Sequence, residues 1–132
     1  MSLQAALWTG GPILLIEDEP SVMAFLRAAL ERSGYSVENA ASGAEGLERL
    51  ERGRFAGVIS DIRMPGTVNG AEVHAWIQKN RPELSTRIIL ISGDTANSDT
   101  QAFLAQSGTL CIEKPFRVQL FLSIVEKTFG KP

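Results

Sequence analysis

The strongest constraint on the fold is a regular alternation of short apolar runs with segments of helical spacing. Runs such as residues 13–16 and 88–91 are typical of strands that are buried on both faces of a parallel sheet. Between such runs, apolar residues recur every three to four positions, as they do in a helix with one face toward a core. The strand-helix unit occurs five times along the chain.

Capping signals and helix breakers set the boundaries of these elements. Ser42 with Glu45 and Asn69 with Glu72 have the spacing of a capping box, in which each side chain satisfies a free backbone N–H group. Ser98 with Gln101 is a third start signal of this kind, which makes Ser98 the predicted cap of the fourth helix. The predicted strands cover residues 12–17, 35–39, 56–61, 87–92 and 109–113. The predicted helices begin with Pro20, Ser42, Asn69, Ser98 and Val118, and the first directs Val22, Phe25, Leu26, Ala29 and Leu30 inward.

Five such units predict an α/β domain of three layers, with right-handed crossovers that cover both faces of a parallel sheet. Five strands favour the doubly wound, flavodoxin-like (βα)5 fold with strand order 2-1-3-4-5. The 132 residues suffice for one domain. We assign it to residues 11–132 and interpret residues 1–10 as a tail or an expression-derived segment.

Composition narrows the classes of function. The net charge is −2 and no stretch concentrates Lys or Arg, so we expect no direct nucleic-acid contact. No apolar run approaches the roughly 20 residues needed to cross a bilayer, so we expect no membrane contact. The one cysteine, Cys111, excludes an internal disulfide and favours a reducing compartment, which predicts a cytoplasmic location.

Ligands of doubly wound sheets bind beyond the carboxyl ends of the strands. The residues at these ends are Glu17, Asp18 and Glu19, then Asp61, then Ser92 and Gly93, and finally Lys114. Several carboxylates in one place repel each other, by roughly 4 kcal/mol for a pair 4 Å apart at an effective dielectric constant near 20. An oxygen-rich anionic cluster of this kind suits Mg²⁺, which we predict as the cofactor.

The other strand ends supply hydrogen-bond donors. Ser92 offers a hydroxyl group, Gly93 allows its backbone N–H to approach a ligand closely, and Lys114 adds a positive charge. With a metal ion, such donors suit the three oxygens of a phosphoryl group. The predicted chemistry is therefore phosphoryl transfer to a carboxylate.

Four segments carry a resemblance to a known family. They are residues 13–20 (ILLIEDEP), 60–66 (SDIRMPG), 89–93 (ILISG) and 113–116 (EKPF). In order and spacing, the chain resembles a receiver domain of two-component response regulators over nearly all of residues 12–130. The resemblance implies that Asp61 accepts a phosphoryl group from a histidine of a histidine kinase or of a histidine phosphotransfer domain.

The same resemblance implies the roles of the other site residues. Glu17 and Asp18 would hold Mg²⁺ together with Asp61, and the backbone carbonyl of Arg63 would complete the metal shell. Glu19 is left out of the site, because it is better explained by the positive amino end of the first helix.

The resemblance further implies that Ser92 and Lys114 contact the phosphoryl group, and that the peptide bond after Lys114 is cis. Phosphorylation would then pull Ser92 inward and switch the conformation of the face formed by the fourth helix, the fifth strand and the fifth helix. Cys111 occupies the position at which receivers usually carry a Tyr or Phe switch, which puts this coupling in question. The family also allows a homodimer through the fourth and fifth helices.

Several alternatives stay open at this point. The chain resembles both stand-alone receivers and receivers at the carboxyl end of hybrid sensor histidine kinases. A degenerate receiver that serves only as a docking module is a second function, motivated by Cys111. A flavodoxin-like cofactor carrier is a third, although the acidic loop at residues 17–19 would repel a cofactor phosphate. His74, the only histidine, is interpreted as a surface or half-buried residue with no ligand role.

Overall fold

The structure is a computed structural model, and it describes residues 7–63, 66 and 68–132. The beginning of the predicted tail and two positions of the segment 60–66 lie outside the described residues. The strands are β1 (Ile13–Ile16), β2 (Val37–Ala40), β3 (Gly57–Asp61), β4 (Ile88–Ser92) and β5 (Leu110–Glu113). The helices are α1 (Pro20–Arg32), α2 (Gly43–Arg52), α3 (Gly70–Asn80), α4 (Ser98–Ser107) and α5 (Val118–Phe129), with a 3-10 turn at Pro82–Leu84.

The predicted fold class and strand order are confirmed. The strands form one parallel sheet in the order β2-β1-β3-β4-β5. Every residue of β1, β3 and β4 is buried, because helices cover the sheet on both sides. Residues of β1 alternate between the two core clusters, with Ile13 and Leu15 packed beside α1 and α5, and Leu14 and Ile16 packed beside α2 and α3.

The helix starts follow the predicted caps in two cases and differ in a third. The hydroxyl of Ser42 accepts a hydrogen bond from the Glu45 N–H at 3.1 Å, and Asn69 and Glu72 form a complete capping box. The prediction that Ser98 caps the fourth helix is wrong. Asn97 is the cap, because its side-chain oxygen accepts hydrogen bonds from the N–H groups of Asp99 and Thr100.

Two aromatic residues depart from the predicted pattern. Phe25 was expected on the inner face of α1, yet its side chain is 55% exposed, because Leu26, Ala29 and Leu30 already fill the contact with the sheet. Tyr35 was expected to begin the second strand. Its N–H instead donates to the carbonyl of Leu30 at the end of α1, so β2 begins two residues later.

The described part of the predicted tail lies against the domain. The ring of Trp8 packs edge-on against Tyr35, with ring centroids 5.2 Å apart. The guanidinium group of Arg87 donates a hydrogen bond to the carbonyl of Leu7 at 3.0 Å. Leu7 and Trp8 therefore contact the domain, while the boundary between tail and domain stays a prediction.

Helix α4 is the least buried of the helices. Thr100 is its only buried residue, and the apolar Phe103 and Leu104 are half-buried. Few buried apolar contacts mean a low local cost of displacement, so we expect α4 to be displaced more readily than the other helices. None of the helices described has the length and apolar character needed to cross a membrane.

His74 is more buried than the sequence predicted. Its side chain lies on the inner face of α3 and is only 7% exposed. The Nε2 atom lies 2.6 Å from the hydroxyl of Thr109, and the ring packs edge-on against Phe103 of α4. His74 therefore links α3 to α4 and to the residue that precedes β5.

This burial predicts an acid-sensitive contribution to stability. Burial lowers the pKa of His74 from its ordinary value of 6.5, because the charged imidazolium is poorly solvated there. The stabilisation is present above the unfolded-state pKa and is lost as the pH falls below it. We expect the free energy of unfolding of the wild type to decrease more steeply than that of His74→Gln between about pH 7.5 and about pH 5.5. The difference in slope cannot exceed about 1.4 kcal/mol per pH unit, the limit for one proton. Urea denaturation at several pH values measures it, and parallel slopes would contradict the burial argument.

Candidate functional site

An acidic cluster lies where β1 and β3 end side by side. The two strands pair in parallel with Ile16 opposite Ser60, so Glu17 and Asp61 come next on neighbouring strands. One carboxylate oxygen from each of Glu17, Asp18 and Asp61 lies within 4.8 Å of the others. The sheet register thus brings together three of the acids that the sequence predicted for the site.

Asp61 is held at the centre of the site by groups from two other segments. It is 7% exposed, and its Oδ2 atom accepts a hydrogen bond from Nζ of Lys114 at 2.8 Å. Its Oδ1 atom accepts a hydrogen bond from the backbone N–H of Arg63 at 3.1 Å. The carboxylate is therefore oriented by Lys114, which directly follows β5, and by the loop that follows β3.

Glu17 is the most deeply buried acid of the cluster. It is 2% exposed, and its Oε2 atom accepts a hydrogen bond from the N–H of Glu19 at 3.1 Å. Its Oε1 atom is buried without a hydrogen-bond partner among the described residues, although Nζ of Lys114 lies 3.7 Å away. Burial raises the pKa of Glu17, and the charges of Asp61 and Asp18 add to this effect against the opposing Glu19 N–H and Lys114. A bound cation would compensate the negative charge of this buried carboxylate oxygen.

Lys114 supplies one compensating charge. Burial alone would lower its pKa, but the hydrogen bond and the charge of Asp61, together with the charge of Glu17, outweigh burial, so the pKa of Lys114 is raised. The side chain therefore stays an ammonium group at neutral pH. The peptide bond between Lys114 and Pro115 is cis, as the resemblance implied.

Ser92 is the last residue of β4, the strand that pairs with β3 on the side opposite β1, and Gly93 follows it. Ser92 is 1% exposed, its hydroxyl accepts a hydrogen bond from the N–H of Asp94 at 3.1 Å, and its carbonyl accepts one from the N–H of Lys114 at 2.8 Å. Gly93 is exposed, and an added Cβ atom would lie 3.8 Å from the nearest atom, the Cδ of Lys114. Packing within the protein therefore does not require glycine at position 93.

Two contacts across the mouth of the site were missed by the sequence predictions. The guanidinium group of Arg63 forms an ion pair with Asp94 at 2.9 Å, and the hydroxyl of Thr95 donates a hydrogen bond to Glu113. The first joins the loops after β3 and β4, and the second joins the loop after β4 to the end of β5. The only sequence signal for the Arg63–Asp94 pair was that opposite charges stand two residues after the ends of β3 and β4.

Cys111 lies in β5 and is half-buried. Burial raises the pKa of its thiol, with the charges of Glu113 and Asp61 acting in the same direction. The thiol is therefore protonated at neutral pH and a weak nucleophile.

Comparisons with known proteins agree with this arrangement. The family model of the response regulator receiver domain matches residues 13–126. The response regulator receiver protein CpdR of Brucella abortus is 32% identical over 115 residues, which are 87% of this chain and 93% of CpdR. The transcriptional regulatory protein GlrR of Escherichia coli is 41% identical over 81 residues, which are 61% of this chain and 18% of GlrR.

A solved structure extends the comparison to three dimensions. The response regulator protein TrrA of Thermotoga maritima, in complex with Mg²⁺-BeF, superposes with a TM-score of 0.77 at 30% identity, over 90% of this chain and 99% of TrrA. The chain spans between 18% and 48% of the length of GlrR and of several other curated relatives that it matches.

Proposed function

Because the chain belongs to the response regulator receiver domain family, we propose that it accepts a phosphoryl group on Asp61. The donor is a phosphorylated histidine of a histidine kinase or of a histidine phosphotransfer domain. The observation that carries the proposal is the placement of Asp61, a buried carboxylate held by Lys114 at 2.8 Å and flanked by Glu17 and Asp18. Receiver domains generally bind Mg²⁺ at such an acidic site, and the relative TrrA is described with Mg²⁺-BeF.

The residues present fit a magnesium ion. Glu17, Asp18 and Asp61 offer three carboxylates, and one buried oxygen of Glu17 lacks a partner. These side chains, with the backbone carbonyl of Arg63, would hold the ion. Bound Mg²⁺ supplies positive charge that stabilises phosphoryl oxygens during transfer.

The transfer itself needs little from the protein beyond position and charge. A carboxylate oxygen of Asp61 forms a bond to phosphorus while the bond from phosphorus to the donor imidazole nitrogen breaks, and the imidazole leaves with that electron pair. Lys114 stabilises one equatorial oxygen of the phosphoryl group. The hydroxyl of Ser92, which now contacts the N–H of Asp94, can turn to donate a hydrogen bond to a second equatorial oxygen. The domain is a signalling domain, and we infer that its own residues provide this catalysis.

The signal then passes to the face formed by α4, β5 and α5. The hydroxyl of Ser92 and the Thr95–Glu113 hydrogen bond connect the site to the loop before α4, and the shallow burial of α4 supports its displacement. Because Cys111 lacks the ring of a Tyr or Phe switch, we infer that this loop carries the coupling. The cytoplasmic location, the homodimer and the lack of nucleic-acid contact stay predictions, as does the choice between stand-alone receiver and hybrid kinase.

Small phosphodonors test the proposal directly. We expect the full chain to gain one phosphoryl group from acetyl phosphate when Mg²⁺ is present and none when it is chelated, as measured by intact-mass spectrometry. A docking module without phosphoryl chemistry, the alternative suggested by Cys111, would show no gain in either condition. A coloured protein with a bound flavin would instead support the cofactor carrier.

Magnesium itself should stabilise the fold. We expect Mg²⁺ at ten times its dissociation constant to raise the free energy of unfolding by about 1.4 kcal/mol, and with it the melting temperature (Tm). For a domain of this size, that corresponds to roughly 5 °C. The variant Asp18→Asn should lose this shift, yet melt no lower than the wild type without metal, because one repulsive carboxylate is gone.

Glu19→Gln is the matched control for this experiment. Its side chain is exposed and adjacent in sequence, and Glu19 is not a member of the three-carboxylate cluster. It should keep the magnesium-dependent shift in Tm. A wild-type Tm that does not respond to millimolar Mg²⁺, or an equal loss in Glu19→Gln, would make the assigned metal site wrong.

A further inference from the structure

A second charged feature lies at the opposite end of the sheet from Asp61. The segments that lead into β1, β3 and β4 enclose a cleft of about 680 Å³. Four arginines line it, namely Arg52, Arg54, Arg81 and Arg87, against two acids, Glu51 and Glu83. The net charge of this lining is opposite in sign to that of the whole chain, which is −2.

Two of the guanidinium groups are held rigidly by backbone carbonyls. Arg81 donates from Nη1 to the carbonyls of Leu50 and Gly53 and from Nε to Glu83 at 2.7 Å. Arg87 donates from Nε to the carbonyl of Ala56 at 2.6 Å, and from Nη2 to the carbonyls of Leu7 and Phe129. Each arginine keeps one terminal nitrogen for which no partner is seen among the described residues. These donors are pre-ordered, so little entropy is lost when a ligand binds them.

The positive charge of the cleft is only partly neutralised from within, since the lining holds four arginines and two acids, and Glu83 pairs with Arg81. In the part of the chain that the structure describes, no carboxylate forms an ion pair with Arg52, Arg54 or Arg87. Arg87 is half-buried, so its charge is only partly solvated, and burial lowers its pKa. Arg52 and Arg54 are exposed residues of the cleft lining. An anion would supply the missing countercharge.

We propose that this arginine cleft, defined by Arg52, Arg54, Arg81 and Arg87, binds the oligophosphate group of a small molecule. Guanidinium groups match phosphate oxygens in bidentate geometry, and linked phosphates concentrate several charges in a small space. The volume is within the range of small-ligand pockets. An acidic peptide would spread its carboxylates along an extended groove, whereas these four arginines line a single concavity.

The site is independent of phosphoryl acceptance. It lies beyond the amino ends of the strands, whereas the acidic cluster lies beyond their carboxyl ends, and the two share no residue. Binding to the arginine cleft can therefore be measured without phosphoryl acceptance at Asp61 when Mg²⁺ is left out.

Amide NMR titration of the full chain with sodium tripolyphosphate, at constant ionic strength and without Mg²⁺, tests the proposal. We expect saturable shifts centred on residues 52–55 and 81–87. The double variant Arg52→Gln/Arg54→Gln should bind at least tenfold more weakly, because it loses two charges while the structural contacts of Arg81 and Arg87 stay intact. Arg27→Gln/Arg32→Gln on α1, with the same change in charge, should bind like the wild type.

Three results would overturn the proposal. These are equal affinities for the two double variants, shifts centred on Lys114 in place of the arginine cleft, and equal or tighter binding of a glutamate-rich peptide. A second titration with ATP distinguishes the source of the phosphates. Binding of both compounds supports recognition through the oligophosphate, whereas binding of ATP alone would show that the base is required and contradict it.

Discussion

Asp61→Asn is expected to abolish phosphoryl uptake from acetyl phosphate and binding of beryllofluoride, with no loss of the folded state. The carboxamide is a poor nucleophile, and it cannot form an acyl phosphate. The side chain keeps its shape and can still accept the hydrogen bond of Lys114, which is 2.8 Å from Oδ2. Intact-mass spectrometry and fluorine NMR measure the two losses.

Asp99→Asn serves as the control for that experiment. It makes the same chemical change on the exposed surface of α4, in the first turn of the helix. It should label with acetyl phosphate to the same extent as the wild type. Equal labelling of Asp61→Asn and Asp99→Asn would show that another residue accepts the phosphoryl group.

Gly70→Ala is expected to lower the free energy of unfolding, because α3 begins in direct contact with the end of β3. A Cβ atom at position 70 would lie 2.6 Å from the carbonyl oxygen of Asp61 and 2.7 Å from the Cα atom of Ile62. Both are backbone atoms, so the helix or the strand end must move. Alanine is otherwise favoured over glycine in a helix by about 1 kcal/mol. We expect the clash to exceed this gain, and the net loss to be roughly 1–3 kcal/mol.

The same displacement should reach the site, since Asp61 itself is one of the groups that must shift. Denaturant unfolding measures the loss of stability, and the magnesium-dependent shift in Tm measures the distortion of the cluster. Gly93→Ala is the matched control, because its added Cβ lies at ordinary contact distance, 3.8 Å from Lys114. It should change the free energy of unfolding by less than about 0.5 kcal/mol. If Gly70→Ala is as stable as Gly93→Ala, then the start of α3 can shift away from β3 with no loss in the free energy of unfolding, and the clash argument is wrong.

The fold was predictable because its determinants are local. The burial of β1 and β4 follows from runs of consecutive apolar residues, and the start of α3 follows from Asn69 and Glu72. The handedness of crossovers then restricts the order of the strands. The errors at Phe25 and Ser98 arose where two adjacent residues could each have filled the same role, as an inner-face residue or as a cap.

The acidic site was also predictable to a large extent. In a parallel sheet, every strand ends at the same edge, so Glu17, Asp18, Asp61 and Lys114 could be placed together from sequence order alone. Sequence spacing does not contain distances between side chains. The unpartnered Oε1 atom of Glu17 and the ion pair between Arg63 and Asp94 therefore emerged only from the structure.

What the sequence by itself determined is the alternation of strands and helices, the edge at which the reactive residues meet, and the chemical type of each. What only the tertiary structure decided is which groups touch: His74 beneath α4, Arg87 against three backbone carbonyls, and four arginines around one cleft. The physical reason is that periodicity and capping act over a few neighbouring residues. Burial and charge pairing instead depend on segments that are far apart in the chain and become neighbours only when the layers pack.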